Sequence, residues 1–199
     1  MKKLTLILST VILISLSVQA QKKSITIDDY GRFRSVSSPA ISEKGNWAGF
    51  TYETPRNDDT LVIMSLSSDK KYIIPLGSDI QFSDNEKWAA YKISLPFKKQ
   101  ESLKKDKKPV PVKSCLINIQ TGEKEEIEDI TSFSWTKGSN LFVVLKSKED
   151  PAAKTSGKPM VVKDLNTGLV TRYDNVSEYS VNKTGTLLAF TVETPDTVG

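Results

Sequence analysis

Apolar and polar positions alternate along most of this chain in short runs, each closed by a polar turn. Residues 47–53, Trp-Ala-Gly-Phe-Thr-Tyr-Glu, concentrate aromatic side chains at strand spacing, a pattern that fits a half-buried pleated surface. Residues 35–41, 61–66, 71–76, 114–119, 124–130, 160–165 and 169–176 form further apolar or weakly alternating runs. Ser67-Ser68-Asp69, Gln120-Thr121-Gly122 and Asn166-Thr167-Gly168 separate them, and these residue types favour hairpin turns. Helical periodicity is unconvincing everywhere except for a possible short turn at residues 27–33.

The alternation is organised by a repeated phrase. Ile-Ser-Glu-Lys-Gly-Asn-Trp-Ala-Gly-Phe at residues 41–50 returns at 82–91, 135–144 and 181–190, with starts 41, 53 and 46 residues apart. The last copy keeps the tail of the first, Phe50-Thr51-Tyr52-Glu53-Thr54-Pro55 against Phe190-Thr191-Val192-Glu193-Thr194-Pro195. Each copy predicts a strand, a tight turn and a second strand, with Gly45 supplying a positive φ in the first. Two more strands follow before the next copy. Four antiparallel strands per unit at this spacing predict an all-β fold, a partial β-propeller of four-stranded antiparallel blades. A β-sandwich is the alternative, but sandwiches do not usually carry a phrase at blade spacing.

With strands named a to d from the centre outward, the a–b and c–d turns fall on one face. The b–c and d–a connections fall on the other. The long b–c connections, residues 94–113 and 147–159, place the length variation on that second face. Three units are complete, and the fourth has only strands a and b, at residues 178–181 and 186–192. A chain that stops inside a blade leaves an open ladder edge. The expectation is therefore a chain truncated from something longer, or one completed by another chain.

Composition changes this picture little. The 199 residues, 38% hydrophobic and 26% charged, suit a globular protein. Residues 1–20 combine Lys2 and Lys3, an apolar stretch over 4–18 and Val18-Gln19-Ala20, which predicts a secretory signal peptide cleaved before Gln21. Residues 21–199 are then an incomplete β-propeller domain. The expected location is exported, periplasmic or secreted, with no membrane attachment after cleavage. Without Lys2 and Lys3 the chain has 26 basic and 24 acidic residues, a net charge of +2, so basicity gives no mandate for nucleic-acid binding.

Candidate chemistry is thin. There is no histidine, which excludes a Ser-His-Asp or Cys-His centre made by this chain alone. One cysteine, Cys115, permits neither an intrachain disulfide nor a Cys-only zinc site; its apolar neighbours predict burial in a strand. Trp47 and Trp88 occupy equivalent repeat positions taken elsewhere by Leu141 and Leu187, which predicts blade packing rather than ligand stacking. The lysine-rich residues 97–113 are expected to form a solvated, mobile b–c loop, with Pro109 and Pro111 guiding re-entry to the sheet. They lack the interleaved aromatics that base stacking needs.

The acidic groups Asp28-Asp29, Asp58-Asp59 and Glu125-Glu126-Glu128-Asp129 match no calcium loop. Thr155-Ser156-Gly157-Lys158 lacks the frame of a phosphate loop, and no Gly-x-Ser-x-Gly elbow is present. Asn175 and Asn182 head formal glycosylation sequons. No catalytic, cofactor-binding or metal-binding residue is assigned, and no cofactor is expected.

The repeated phrase resembles the propeller repeats of the prolyl oligopeptidase family of serine peptidases, although Tol-type propellers share such repeats. The opening at residues 25–36, Ile-Thr-Ile-Asp-Asp-Tyr-Gly-Arg-Phe-Arg-Ser-Val, followed by Ser-Ser-Pro-Ala-Ile-Ser at 37–42, is similar to the start of exported bacterial members. The resemblance covers residues 21–199. It implies an N-terminal propeller whose partner is a C-terminal α/β-hydrolase domain carrying the Ser, Asp and His, none of which lies in this sequence. It further implies a noncatalytic module that gates access to the active site and selects peptide substrates. The alternative is a freestanding exported propeller acting as a protein-binding scaffold.

Overall fold

The computed structural model describes residues 24–56, 58–138, 140–150 and 155–194, without the Asp28 side chain. The expected signal peptide, the start at Gln21 and Pro195 lie outside the described residues. The chain divides between Phe33 and Arg34. In the first part, Ile27–Arg32 forms a 3-10 turn. The Thr26 amide and hydroxyl donate to the Asp29 carboxylate at 3.2 and 3.0 Å, a capping arrangement that satisfies a donor the turn cannot.

The second part is three stacked antiparallel sheets. Blade one comprises β1 (Ser35–Ile41), β2 (Trp47–Glu53), β3 (Thr60–Ser65) and β4 (Lys71–Pro75), paired in chain order. Blade two repeats this with β5 (Gly77–Phe82), β6 (Trp88–Ile93), β7 (Lys113–Asn118) and β8 (Lys124–Ile127). The third sheet holds β9 (Ile130–Trp135), β10 (Leu141–Lys146), β11 (Lys158–Asp164), β12 (Val170–Val181) and β13 (Leu188–Val192), again in chain order. The fold is thus a partial β-propeller.

Two elements differ from the sequence reading. The third unit's last strand and the fourth unit's first strand are one continuous strand, β12. Its first half pairs with β11 and its second half with β13, with a register irregularity between Val176 and Glu178. Asn175, at φ +55°, turns the chain from one blade to the next without a loop. Leu76 and Asp129 precede β5 and β9 with φ of +61° and +56°. The carbonyls of Leu76, Asp129 and Asn175 accept N–H bonds from Ser94, Ser147 and Glu193 at 2.9, 2.6 and 2.9 Å. A residue in a left-handed conformation thus stands at each of these d–a connections.

The second difference is α1, Phe97–Lys105, inside the expected loop. Phe97, Gln100 and Leu103 are its half-buried positions, spaced three apart on one face. Only two of those three are apolar, so the helix lacks the stripe that periodicity detects.

Alternate residues of each strand serve two interfaces, as the strand period requires. In β6, Ala89 and Tyr91 join Leu61, Ile63 and Ile74 of blade one in a single core. Ala90 and Leu116 face the other way, against Phe142 and Val144. Val143 and Met160 then pack with Tyr179, Leu188 and Phe190. Full burial of each such side chain contributes about 1.5–3 kcal/mol, so stacking dominates the stability of the array.

Candidate functional site

The repeated phrase builds a row of four a–b turns. Its second residue is Ser42, Ser83, Thr136 or Asn182, and each carries a side-chain oxygen. That oxygen accepts the N–H of the residue five positions on, Trp47, Trp88, Leu141 and Leu187, at 3.0, 3.0, 3.1 and 2.9 Å. The backbone N–H of each also bonds the carbonyl of the same partner, at 2.9 to 3.1 Å. The phrase is therefore a side-chain-closed hairpin turn, and its Ser is structural rather than nucleophilic.

The turns also hold one another. Glu86 occupies the position of Gly45 and shares its left-handed backbone, φ +55° against +74°. Its carboxylate accepts from Ser42 Oγ and Asn46 Nδ2 at 2.5 Å each and from the Lys44 amide at 2.8 Å. Burial works to raise the Glu86 pKa, but the bonds from Ser42, Asn46 and Lys44 outweigh it and hold the carboxyl below its ordinary range. Asp84 accepts the Gly138 amide at 3.0 Å, and Asn85 donates to Asn140 at 2.6 Å. Gly185 lies so close to the third turn that a Cβ there would meet the Lys137 carbonyl oxygen at 1.6 Å.

The residues singled out in the sequence lie apart from one another. Trp47 is buried and stacks on Tyr72 at 6.3 Å, and Trp88 packs at the edge of the next core; both serve blade packing. Cys115 is buried in β7 beside Tyr91, and burial pushes its thiol up, away from nucleophilic use. The acidic run around Glu125 forms cross-strand ion pairs. Lys113 meets Glu126 at 3.2 Å and Glu128 at 2.8 Å, and Lys163 meets Glu125. Asp58 accepts the Phe97 amide at 2.8 Å and Asp59 the Thr54 amide at 2.8 Å.

At Ser156 and Gly157 the backbone amides point at an anion, and that anion is Glu193, at 2.7 and 3.3 Å. Asn182 commits its side chain to the fourth turn. Among the described residues no group of three His, Cys, Asp or Glu side chains is placed to hold a metal ion. No helix among them is long and apolar enough to cross a membrane.

Two clefts remain. One, of about 430 Å3, opens between β1, β5 and β9, where the Lys92 ammonium meets the Asp79 carboxylate at 2.8 Å and Ser38 and Ser132 line the wall. The other, of about 960 Å3, lies beneath α1 on the face of the long b–c connections. Sequence reasoning missed this second cleft because it depends on α1.

No protein-family model matches the sequence, and no curated protein matches it. Solved structures do. The β-propeller domain of the trilobed protease from Pyrococcus furiosus, which has an open velcro topology, aligns with a TM-score of 0.53 at 16% identity, over 74% of this chain and 45% of that one. An acylaminoacyl peptidase in complex with Z-Gly-Gly-Phe-chloromethyl ketone aligns at 0.54 and 15%, over 84% of this chain and 29% of that one. The Pyrococcus horikoshii acylaminoacyl peptidase aligns at 0.54 and 15%, over 84% and 30%. The chain thus spans less than half the length of each, and at these identities the likeness is one of fold.

Proposed function

We propose that this chain is the noncatalytic propeller module of an exported serine peptidase of the prolyl oligopeptidase type. Its partner is an α/β-hydrolase domain, and its task is to limit access to the active site to peptides. The observation that carries this reading is the likeness of the blade stack to propeller-bearing peptidases over most of the chain. The turn row supports it, since a barrier to folded proteins needs blades that stay together, and Glu86 and Asp84 tie neighbouring turns.

Blade one supports it too. Ala48, Phe50 and Tyr52 hold the phrase positions of Ala89, Tyr91 and Ile93, which pack on the preceding blade. Val36, Ile41 and Ile73 on that same face of blade one are exposed. A face of this kind suits a further blade. With no histidine, the chain supplies no imidazole base for a Ser-His-Asp centre, and in this reading turnover belongs to the partner domain.

Sequencing the coding DNA beyond codon 199 tests the reading. An open frame with further blades and then Gly-x-Ser-x-Gly, Asp and His is the expected result. A frame that completes a propeller and stops would sink it and leave a freestanding scaffold. In a full-length enzyme, the gate predicts rapid cleavage of short peptides and none of a folded protein that contains the same sequence.

A further inference from the structure

The cleft beneath α1 is an apolar floor inside a ring of cations. Leu95, Leu103, Val110 and the flanking prolines supply the floor, in a volume of about 960 Å3. Four lysines, Lys99, Lys108, Lys146 and Lys148, stand around it. Two acids share the lining, Asp129 and Glu149. Glu149 shares Arg172 with Asp174, at 2.6 and 2.8 Å, and Lys148 lies in the field of Glu193, so the cation excess of the groove rests on Lys99 and Lys108. Among the described residues Lys99 and Lys108 make no ion pair.

The wall that carries these groups is held in place. Gln100 donates to the Leu95 carbonyl at 2.6 Å, and the Phe97 amide bonds Asp58 of the neighbouring b–c connection at 2.8 Å. The Lys108 amide closes the helix end onto the Leu103 carbonyl at 2.8 Å. Leu103 is the one aliphatic residue of α1, and it faces the groove. A solvating loop would have no reason to place its single leucine there.

We infer that this groove docks an acidic polypeptide segment that anchors an aliphatic side chain against Leu103 and Val110 and sets its carboxylates against Lys99 and Lys108. The charge balance calls for an anion, and the floor calls for an apolar anchor. The cations are long, rotatable ammonium groups rather than a rigid fork, which suits carboxylates spaced along a flexible chain better than one small ligand of fixed geometry. The groove holds these properties whether or not a peptidase domain follows the propeller, so the two readings fail separately.

Fluorescence anisotropy of the full chain with a short fluorescein-labelled peptide rich in Glu and carrying Leu tests the inference. Saturable binding is expected, weakening as salt rises. Lys99→Glu with Lys108→Glu should weaken it by about tenfold or more, and Leu103→Ser by a factor of about five. Lys71→Glu, on β4 of blade one, should leave it unchanged. Both lysines are exposed, so the double variant should keep the wild-type circular dichroism and melt.

Binding that ignores the double variant would overturn the proposal. So would equal affinity for a peptide with every Leu replaced by Ser, since the apolar floor would then do nothing. Binding of phosphatidylserine vesicles through the same lysines, with no binding of the peptide, would assign the groove to a membrane surface instead.

Discussion

The Glu86 carboxylate accepts a 2.5 Å hydrogen bond from the Ser42 hydroxyl, so the second a–b turn is fastened to the first by a buried charge. Ser42 in turn accepts the Trp47 amide at 3.0 Å. One hydroxyl therefore closes its own hairpin and carries the contact to the next blade. The carboxylate that receives it sits on a backbone conformation that glycine provides elsewhere in the row. A glutamate tolerates the left-handed region there because three donors of blade one hold its side chain.

Replacing Glu86 with Gln should lower unfolding free energy by about 1.5–3 kcal/mol, the range for bonds to a charged group. Its folded pKa is depressed, so its stabilising effect is fully present above the unfolded value of about 4.3. The effect is lost as pH falls through the lower folded value. Urea melts of wild type and Glu86→Gln should differ most near neutrality and converge in acid. A gap that stays constant with pH would show that the charge is not what holds the turns.

The strands of the first unit were legible because Trp47–Glu53 alternates buried and half-buried residues, and a period of two is visible in sequence. The turn row was only half legible. Gly45 announces its turn, but nothing local says that Glu86, at the equivalent position, reaches 44 residues back to Ser42. A comparison of the second phrase position across copies could have found the hairpin closure, since Ser, Ser, Thr and Asn share only a side-chain oxygen. α1 was illegible for a different reason. With Phe97 and Leu103 as its only apolar residues, it carries too little periodic signal, and its place depends on Asp58 and Leu95 outside it. The groove inherits that illegibility.

Gly45 and Gly185 hold the same place in their turns, with φ of +74° and +71°, but their surroundings differ. A Cβ on Gly45 meets nothing within 4 Å, whereas one on Gly185 would meet the Lys137 carbonyl oxygen at 1.6 Å. Gly45→Ala should cost only the backbone penalty, about 1–2 kcal/mol. Gly185→Ala adds a collision with rigid backbone and should cost about 3 kcal/mol or more in all. Equal costs in paired melts would show that the third and fourth turns are not packed together.

Gly49 sets the spacing between the first two blades. A Cβ there would lie 2.9 Å from both Ile80 Cδ1 and Cγ2, at the phrase position that Ala90 and Val143 hold in later copies. Val is thus acceptable to the repeat but not to this interface. Gly49→Val should destabilise by about 1–3 kcal/mol through overpacking. Adding Ile80→Ala, which removes the atoms that collide, should recover part of that loss. A strictly additive double variant would place the strain elsewhere.

Cys115 reports on whether blades one and two separate. Its thiol is 1% exposed, in the core shared by Leu61, Ile63 and Tyr91, and burial raises its pKa. Both effects suppress the thiolate that a disulfide reagent needs. In native buffer at mildly alkaline pH, Ellman's reagent should label the chain at least about a thousandfold more slowly than in denaturant, because labelling waits for the interface to open. Glu86→Gln loosens the fastening between the same two blades and should speed native labelling about fivefold or more, while leaving the rate in denaturant unchanged. Fast labelling of the wild type would mean that the interface is open in solution, and with it the basis for reading the stack as a barrier would go.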